Sequence, residues 1–227
     1  MKITLYFIGW NDAYYLPFIK KHYGQFCQRI VYYDNHSSDN SVELAESFGF
    51  EVRNFGTIGQ LNDEDYLTVK NNCWKEERGK SDYVIVCDSD EFLVIDKLEG
   101  TLPVVKGYNM ISDKLPVNEI FEANTGAANE NYSKQVIFNP EHIEEINFVH
   151  GCHKNNAKGL LTTNGHCRLF HFRQIGGVQR LIDRHSDYRE RMSAFNKRFN
   201  MGWHYNVSDD TRRNEWEVLM KEAKQLY

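Results

Sequence analysis

Tyr83-Val84-Ile85-Val86-Cys87-Asp88-Ser89-Asp90-Glu91-Phe92 is the stretch on which the fold turns. Its first five residues are apolar or aromatic and suit a buried strand, which ends in three acids within four positions. The same pattern recurs upstream. Lys2–Ile8 reads as a buried strand, Asn11 as the cap of a helix running to Tyr23, and Arg29–Tyr33 as a second strand. A short helix with Val42, Leu44, Ala45 and Phe48 on its apolar side follows, then a third strand at Phe50–Asn54 and a helix over Asp63–Arg78. Strands alternating with helices at this spacing predict an α/β fold with a parallel sheet and right-handed crossovers. Ligands of such sheets sit beyond the carboxyl ends of the strands. The loops Asp34–Asp39 and Asp88–Glu91 are therefore expected on one functional edge.

Beyond residue 100 the pattern is less regular. Tyr108–Ser112, Gln135–Phe138, Ile146–Val149 and Arg168–Phe172 read as strands, and Asp113–Lys134 as a long polar loop. Leu181, Ile182, His185, Tyr188, Met192, Phe195 and Phe199 recur at helical spacing. A last helix is expected from Ser208-Asp209-Asp210, with Trp216, Leu219, Met220, Ala223 and Leu226 as its stripe. The organisation expected is a nucleotide-binding half over 1–100, an acceptor-side half of the same domain over 101–175, and a helical region over 176–227.

The 227 residues carry 27 basic and 32 acidic side chains, a net charge of −5, which disfavours a sequence-independent nucleic-acid binder. The charge is polarised: residues 1–100 balance at −7, 101–153 at −4, 154–198 at +7 and 199–227 at −1. No apolar run approaches the length of a membrane span, and Met1–Ile8 is short for a signal peptide. Five cysteines without a CxxC pair suit free thiols in a reducing cytoplasm.

Three clustered acids repel one another, so folding them together needs a cation or a basic partner. Hard divalent cations such as Mn²⁺ and Mg²⁺ take carboxylate oxygens and share phosphate oxygens, so Asp88, Asp90 and Glu91 point to a metal–diphosphate site. Asp34 or Asn35 at the second strand end could hydrogen-bond a nucleobase or ribose; as Asn, Asp and Ser they are also ordinary turn residues. Among the later histidines, His150 and His153 flank Gly151-Cys152, and His166 and His171 flank the strand around Arg168. A zinc site from Cys152, His153, His166 and Cys167 is a rival whose spacing departs from the usual zinc patterns. In the basic segment, Lys154, Lys158, Arg168, Arg173, Arg180 and Arg184 are groups able to hold a departing diphosphate.

Taken in order, Asn11-Asp12, Asp34-Asn35-His36-Ser37-Ser38-Asp39 and Asp88-Ser89-Asp90-Glu91-Phe92 resemble glycosyltransferase family 2 enzymes of the GT-A fold. Tyr132-Ser133-Lys134, Phe138-Asn139-Pro140, Glu145-Ile146-Asn147-Phe148, Gly151-Cys152-His153, His171-Phe172, Arg184-His185 and Arg191-Met192-Ser193 are similar to one bacterial branch of that family. The resemblance implies a GT-A-type Rossmann-like mixed sheet flanked by helices. It also implies a nucleotide-sugar donor (a UDP-sugar by default), a divalent metal, and an inverting transfer to a glycan or lipid-linked acceptor in polysaccharide biosynthesis. By position, Asn11, Asp34, Asn35, Asp39, Asp88 and Arg173 would hold the nucleotide, and Asp88, Asp90, His153 and His171 the metal. Two departures stand out: Asp12 replaces the usual Glu, and His36 replaces the usual Gly of the second loop.

For the base that inversion requires, Glu119 on the long loop and Asp183 early in the basic helix are candidates. The cations of 154–198 also suit peripheral contact with the inner face of an anionic membrane. Two other classes compete. A nucleotidyltransferase would share metal-binding acids, but its Gly-rich basic loop after strand one is replaced here by Gly9-Trp10-Asn11-Asp12. A non-catalytic carbohydrate- or partner-binding module would not need the Asp88/Asp90 pair.

Overall fold

A computed structural model of the protein describes residues 1–227. Strands β1 (Ile3–Gly9), β2 (Arg29–Asp34), β3 (Glu51–Asn54) and β4 (Tyr83–Asp88) are parallel, and β8 (Ile137–Phe138) adds an antiparallel edge beside β4. The order is β3-β2-β1-β4-β8. The 3-2-1-4 part is the Rossmann-type arrangement. All seven residues of β1 are buried, as a central strand covered on both faces requires. Helices α1 (Leu16–Tyr23), α2 (Ser41–Ser47) and α3 (Asp63–Asn72) are the crossovers.

The chain leaves β4 and enters β5 (Glu91–Lys97) after only Ser89 and Asp90. That corner carries it into a second, mixed sheet. Its other strands are β6 (Val104–Ser112), β7 (Thr125–Ala128), β11 (His166–Ile175) and β12 (Lys224–Gln225), in the order β12-β7-β6-β11-β5. β9 (Ile143–Glu145) and β10 (Lys158–Gly159) form a separate ribbon. One apolar cluster of 27 buried residues runs from Ile3 to Ile175 and takes side chains from both sheets, so the two share a core. Helices α4 (Gly177–Arg191), α5 (Ala194–Phe199) and α6 (Asp209–Glu222) follow. No helix is long and apolar enough to cross a membrane.

The mixed sheet flanked by helices agrees with the fold class expected from sequence, while several elements differ. Asn11 does not cap α1: it sits at φ 51°, and its side chain serves the second loop instead. The Asp63–Arg78 helix is α up to Asn72 and then a 3₁₀ turn over Cys73–Glu77. Ile146–Val149 is not a strand, because Asn147 takes φ 51° and the Phe148 N–H donates to the Asn71 side chain. The long loop 113–134 contains β7 and two 3₁₀ turns, Ile120–Glu122 and Glu130–Tyr132. The helical stripe from 178 to 199 is broken at Met192-Ser193. These residues turn extended, so that the Leu61 N–H donates to the Arg191 carbonyl and the Leu61 carbonyl accepts from the Ser193 N–H, and Ser193 then caps α5. The last stripe ends at Glu222, and Leu226 follows the short strand β12 instead of extending the helix.

Two glycine sites shape the edge that matters. Gly176 and Gly177 take consecutive φ values of 85° and 87°, which turn β11 directly into α4 at little steric cost. A Cβ on Gly107 would meet the Tyr132 carbonyl carbon at 1.9 Å, so only glycine lets the 130–132 turn lie on β6.

Candidate active site

The register of β11 against β5 builds the site. His171 lies opposite Glu91, and the Phe172 N–H donates to the Asp90 carbonyl at 2.8 Å. Positions 171 and 173 share a face, since side chains alternate along a strand, and both reach Asp90. His171 Nε2 is 3.6 Å from Asp90 Oδ1, and Arg173 Nε donates to Asp90 Oδ2 at 3.3 Å. Tyr132 stacks on the His171 ring at 4.3 Å and fixes its plane.

Asp88 faces two lysines. Lys70 Nζ donates to its Oδ1 at 2.5 Å and Lys134 Nζ to its Oδ2 at 3.2 Å. Lys134 also pairs with Glu91 at 2.6 Å, and the other Glu91 oxygen accepts from the Asp88 N–H at 2.9 Å. Asp12 pairs with Arg184 and accepts from Ser89 Oγ and from the Trp10 N–H. Four carboxylates thus meet four cations, Lys70, Lys134, Arg173 and Arg184, in one buried layer at the ends of β1 and β4.

The titration behaviour follows from this pairing. Burial alone would raise Asp88, but Lys70 and Lys134 outweigh it and hold the carboxyl below its usual range. Asp90 is lowered as well, against burial, with Arg173 as the permanent charge facing it. Burial drives His171 down to about 3, with Asp90 pulling the other way, so at neutral pH its ring is uncharged and Arg173 is the charge that balances Asp90. Glu91 moves upward through burial, opposed by Lys134.

No group of three or more His, Cys, Asp or Glu side chains is gathered as a metal cage, which leaves the zinc alternative without a site. A cation that takes few protein ligands is a different case. Asp90 Oδ1 is buried and accepts no hydrogen bond, and the neutral His171 ring lies beside it. One carboxylate oxygen and one imidazole nitrogen, with phosphate and water completing the shell, fit Mn²⁺ or Mg²⁺. Asp88 has both oxygens on lysines. His153 is exposed and bonds the Asn131 carbonyl through Nδ1, and neither residue completes a set with Asp90 and His171.

Two cavities open on this layer. The first, about 130 Å³, is lined by Trp10, Asp12, Tyr66, Lys70, Arg184 and Tyr188, among others. The second, about 450 Å³, lies towards Tyr132, Lys134, His153, His171, His185 and Arg212. Asp88, Arg173, His204 and Tyr205 stand in both walls. Helix α4 separates them by its periodicity: Arg184 and Tyr188 face the first, Leu181 and His185 the second.

The second loop behaves differently. Asp34 is buried and accepts from Tyr32 Oη, the Ser37 N–H and Ser37 Oγ. Asn35 donates to the Phe55 carbonyl and accepts from Arg191. Asp39 accepts from the Ser41 and Ala13 N–H groups, and Asn11 from those of Ser38 and Asp39. None of the four lines either cavity. His36 sits at φ 55°, a left-handed position that favours glycine. Glu119 is exposed and pairs with Lys21, and Asp183 is exposed and accepts from Gln179, so both proposed bases lie outside the cavities. Sequence reasoning missed Lys70, which looked like an ordinary helix lysine. Lys134 was visible only inside the Tyr132-Ser133-Lys134 motif. The repulsion among Asp88, Asp90 and Glu91 was the signal that basic partners must exist.

No family model matches the chain, and no curated protein does. Among solved structures, similarity is found to glucosyl-3-phosphoglycerate synthase from Mycobacterium tuberculosis, in complexes with Mn²⁺, UDP and glucosyl-3-phosphoglycerate and with Mn²⁺ and UDP-glucose. Each is 14% identical over 48% of this chain, with a TM-score of 0.31. The match spans 44% and 43% of those chains, less than half their length. An overlap this partial assigns no residue.

Proposed function

We propose that the protein is a metal-dependent glycosyltransferase of the GT-A type acting on a nucleotide-diphosphate sugar, with a UDP-sugar as the expected donor. The observation that carries this reading is Asp90: a buried carboxylate with one unpartnered oxygen beside a neutral imidazole, surrounded by buried cations at the carboxyl edge of a 3-2-1-4 sheet. Asp90 and His171 are the residues that would hold Mn²⁺ or Mg²⁺. When bound, that ion supplies Lewis-acid stabilisation of the leaving diphosphate. Lys70, Arg173 and Arg184 surround the same space and stabilise negative charge there, where burial strengthens each interaction. Trp10, Tyr66 and Tyr188 offer aromatic surface for a nucleobase.

Asp88 acts as the anchor that keeps Lys70 and Lys134 charged and in place. Asp34, Asn35 and Asp39 shape the second loop, and a nucleobase contact through them is not part of this reading. The acceptor is a hydroxyl compound entering from the second cavity.

The test is thermal stability with UDP, with and without Mn²⁺. A metal-dependent upward shift is expected, together with slow hydrolysis of a nucleotide sugar from a panel. No metal-dependent shift with any nucleoside diphosphate would sink the proposal.

A further inference from the structure

The second cavity gathers three cations, Lys134, Arg173 and Arg212, from three separate parts of the chain. Lys134 is paired with Asp88 and Glu91, Arg173 through one nitrogen with Asp90, and Arg212 with Glu215. Its one acid, Asp88, has both oxygens occupied by Lys70 and Lys134. His185 is 6% exposed, and neither ring nitrogen has a hydrogen-bond partner; His171 Nδ1 is likewise unpartnered. A buried polar group without a partner costs stability, and its persistence in a cavity wall points to a ligand that supplies the partner.

The field in the cavity has a definite sign. Burial first, then Arg173 and Arg212, push His185 down to about 2, and the same three causes bring His204 to about 4. Two rings on different elements, α4 and the 203–206 turn, thus stand beside the same two cations, Arg173 and Arg212. Arg212 meets a carboxylate only at the rim, where Glu215 is half-exposed. Arg173 gives one nitrogen to Asp90 and otherwise lies over the Tyr188 and Tyr205 rings. Positive potential between low-dielectric walls concentrates anions.

We propose that the second cavity selects an acceptor bearing an acidic group, a carboxylate or a phosphate, held between Arg173, Arg212 and the unpartnered ring of His185. The acidic group positions the acceptor, and its hydroxyl then points towards the shared wall of Asp88, Arg173 and His204. A neutral glycan would leave the remaining donors of Arg173 and Arg212 without an anion. This assignment of acceptor class rests on the glycosyltransferase reading, whereas the anion site itself does not.

The experiment uses the full chain and three probes: inorganic phosphate, glucuronate and glucose. Calorimetric titrations are run without and with saturating UDP and Mn²⁺. Phosphate, glucuronate or both are expected to bind at millimolar or tighter affinity, undiminished by UDP, with glucose at least tenfold weaker. Which acid binds identifies the phosphoryl or the carboxylate as the group recognised. Arg212→Gln is expected to weaken acid binding at least tenfold and Arg212→Lys less than threefold; Lys197→Gln, on the exposed face of α5, should match the unmodified protein. Because Arg212 also donates to the His204 carbonyl, melting midpoints accompany each variant, and His185→Asn gives a second test with an expected loss of at least threefold. Glucose binding as tightly as the acids would overturn the proposal. So would acids displaced by UDP, or acid binding retained in both Arg212→Gln and His185→Asn. If UDP fails to bind while the acids behave as expected, the transferase reading falls and the anion site stands.

Discussion

The loops after β2 and β4 have nearly the same composition and opposite fates. In Asp34–Asp39 the buried acid is satisfied locally: Asp34 takes its three hydrogen bonds from Tyr32 and Ser37, within five residues of one another, while Asn35 and Asp39 reach Arg191 and Ala13. Asp88–Glu91 does the reverse. Its acids find partners 18 to 83 residues away, at Lys70, Lys134 and Arg173. An acid satisfied locally is chemically finished. A loop satisfied by remote cations holds its charge in a buried setting, where one oxygen of Asp90 is still unpartnered. The first builds the edge of the sheet and the second equips it.

The largest expected consequence of this contrast is in stability. Lys134→Met leaves Glu91, whose side chain is wholly buried, and Asp88 short of a partner. Breaking a buried pair in this way costs on the order of 3–5 kcal/mol. Asp34→Asn keeps the shape and the bonds to one oxygen but loses the one accepted from the Ser37 N–H, and should cost about 1 kcal/mol, near the worth of one hydrogen bond. Urea denaturation of both variants gives the comparison, and equal losses would erase the distinction between the loops.

Acid comes next. Burial pushes His204 down to about 4 and His185 down to about 2, both below the unfolded imidazole at about 6.5. Between the folded and unfolded values the unfolded chain binds the extra proton, so stability falls as pH drops below about 6.5. The slope is at most about 1.4 kcal/mol per pH unit for each ring. The lowered Asp88 and Asp90 act only further down, as pH falls below about 4. Denaturation midpoints from pH 7 to 4.5 should therefore decline, and His185→Phe should flatten the decline by one ring's share. An unchanged slope in that variant would mean His185 is protonated in the folded protein.

Asp90→Asn addresses the unpartnered oxygen. The metal-dependent part of UDP stabilisation should fall at least tenfold, about 1.4 kcal/mol, because a neutral amide is a poor ligand for a hard cation. The metal-independent part should persist through Lys70 and Arg184. Undiminished metal dependence would move the cation site away from Asp90.

The smallest effect is expected in the loop after β2. His36→Gly relieves a left-handed backbone but loses the bond from the ring to the Gly56 carbonyl, 3.2 Å. The two should nearly cancel, leaving a change under about 1 kcal/mol. UDP affinity should be unaltered, since this loop lines neither cavity. A tenfold loss of UDP binding would return the second loop to the site.

Much of the first sheet was legible because its strands are continuous apolar runs and its helices have stop and cap signals. β5 was not, since Glu91 opens a strand directly after a two-residue corner and its acid reads as loop. The break at Met192-Ser193 was hidden too: the apolar period runs through it, and only the Leu61 backbone, 131 positions away in sequence at Met192, pulls it open. Of the candidate site, Asp88, Asp90, His171 and Arg173 could be named beforehand, and Arg184 only as one of six cations in the basic segment. Glu119 and Asp183 were named and lie elsewhere: Glu119 is held by Lys21 ahead of the 120–122 turn, and Asp183 is on the outward face of α4.

Sequence alone determined the alternation of strands and helices, the edge on which ligands should meet the sheet, and the need for positive charge near Asp88-Ser89-Asp90-Glu91. Those follow from periodicity and from like-charge repulsion, both local in the chain. Only the tertiary structure decided which cations answer that need, how β11 sets His171 and Arg173 against Asp90, and how α4 divides one edge into two cavities. Ion pairing between distant residues depends on burial and strand register, and neither is written in any one stretch of sequence.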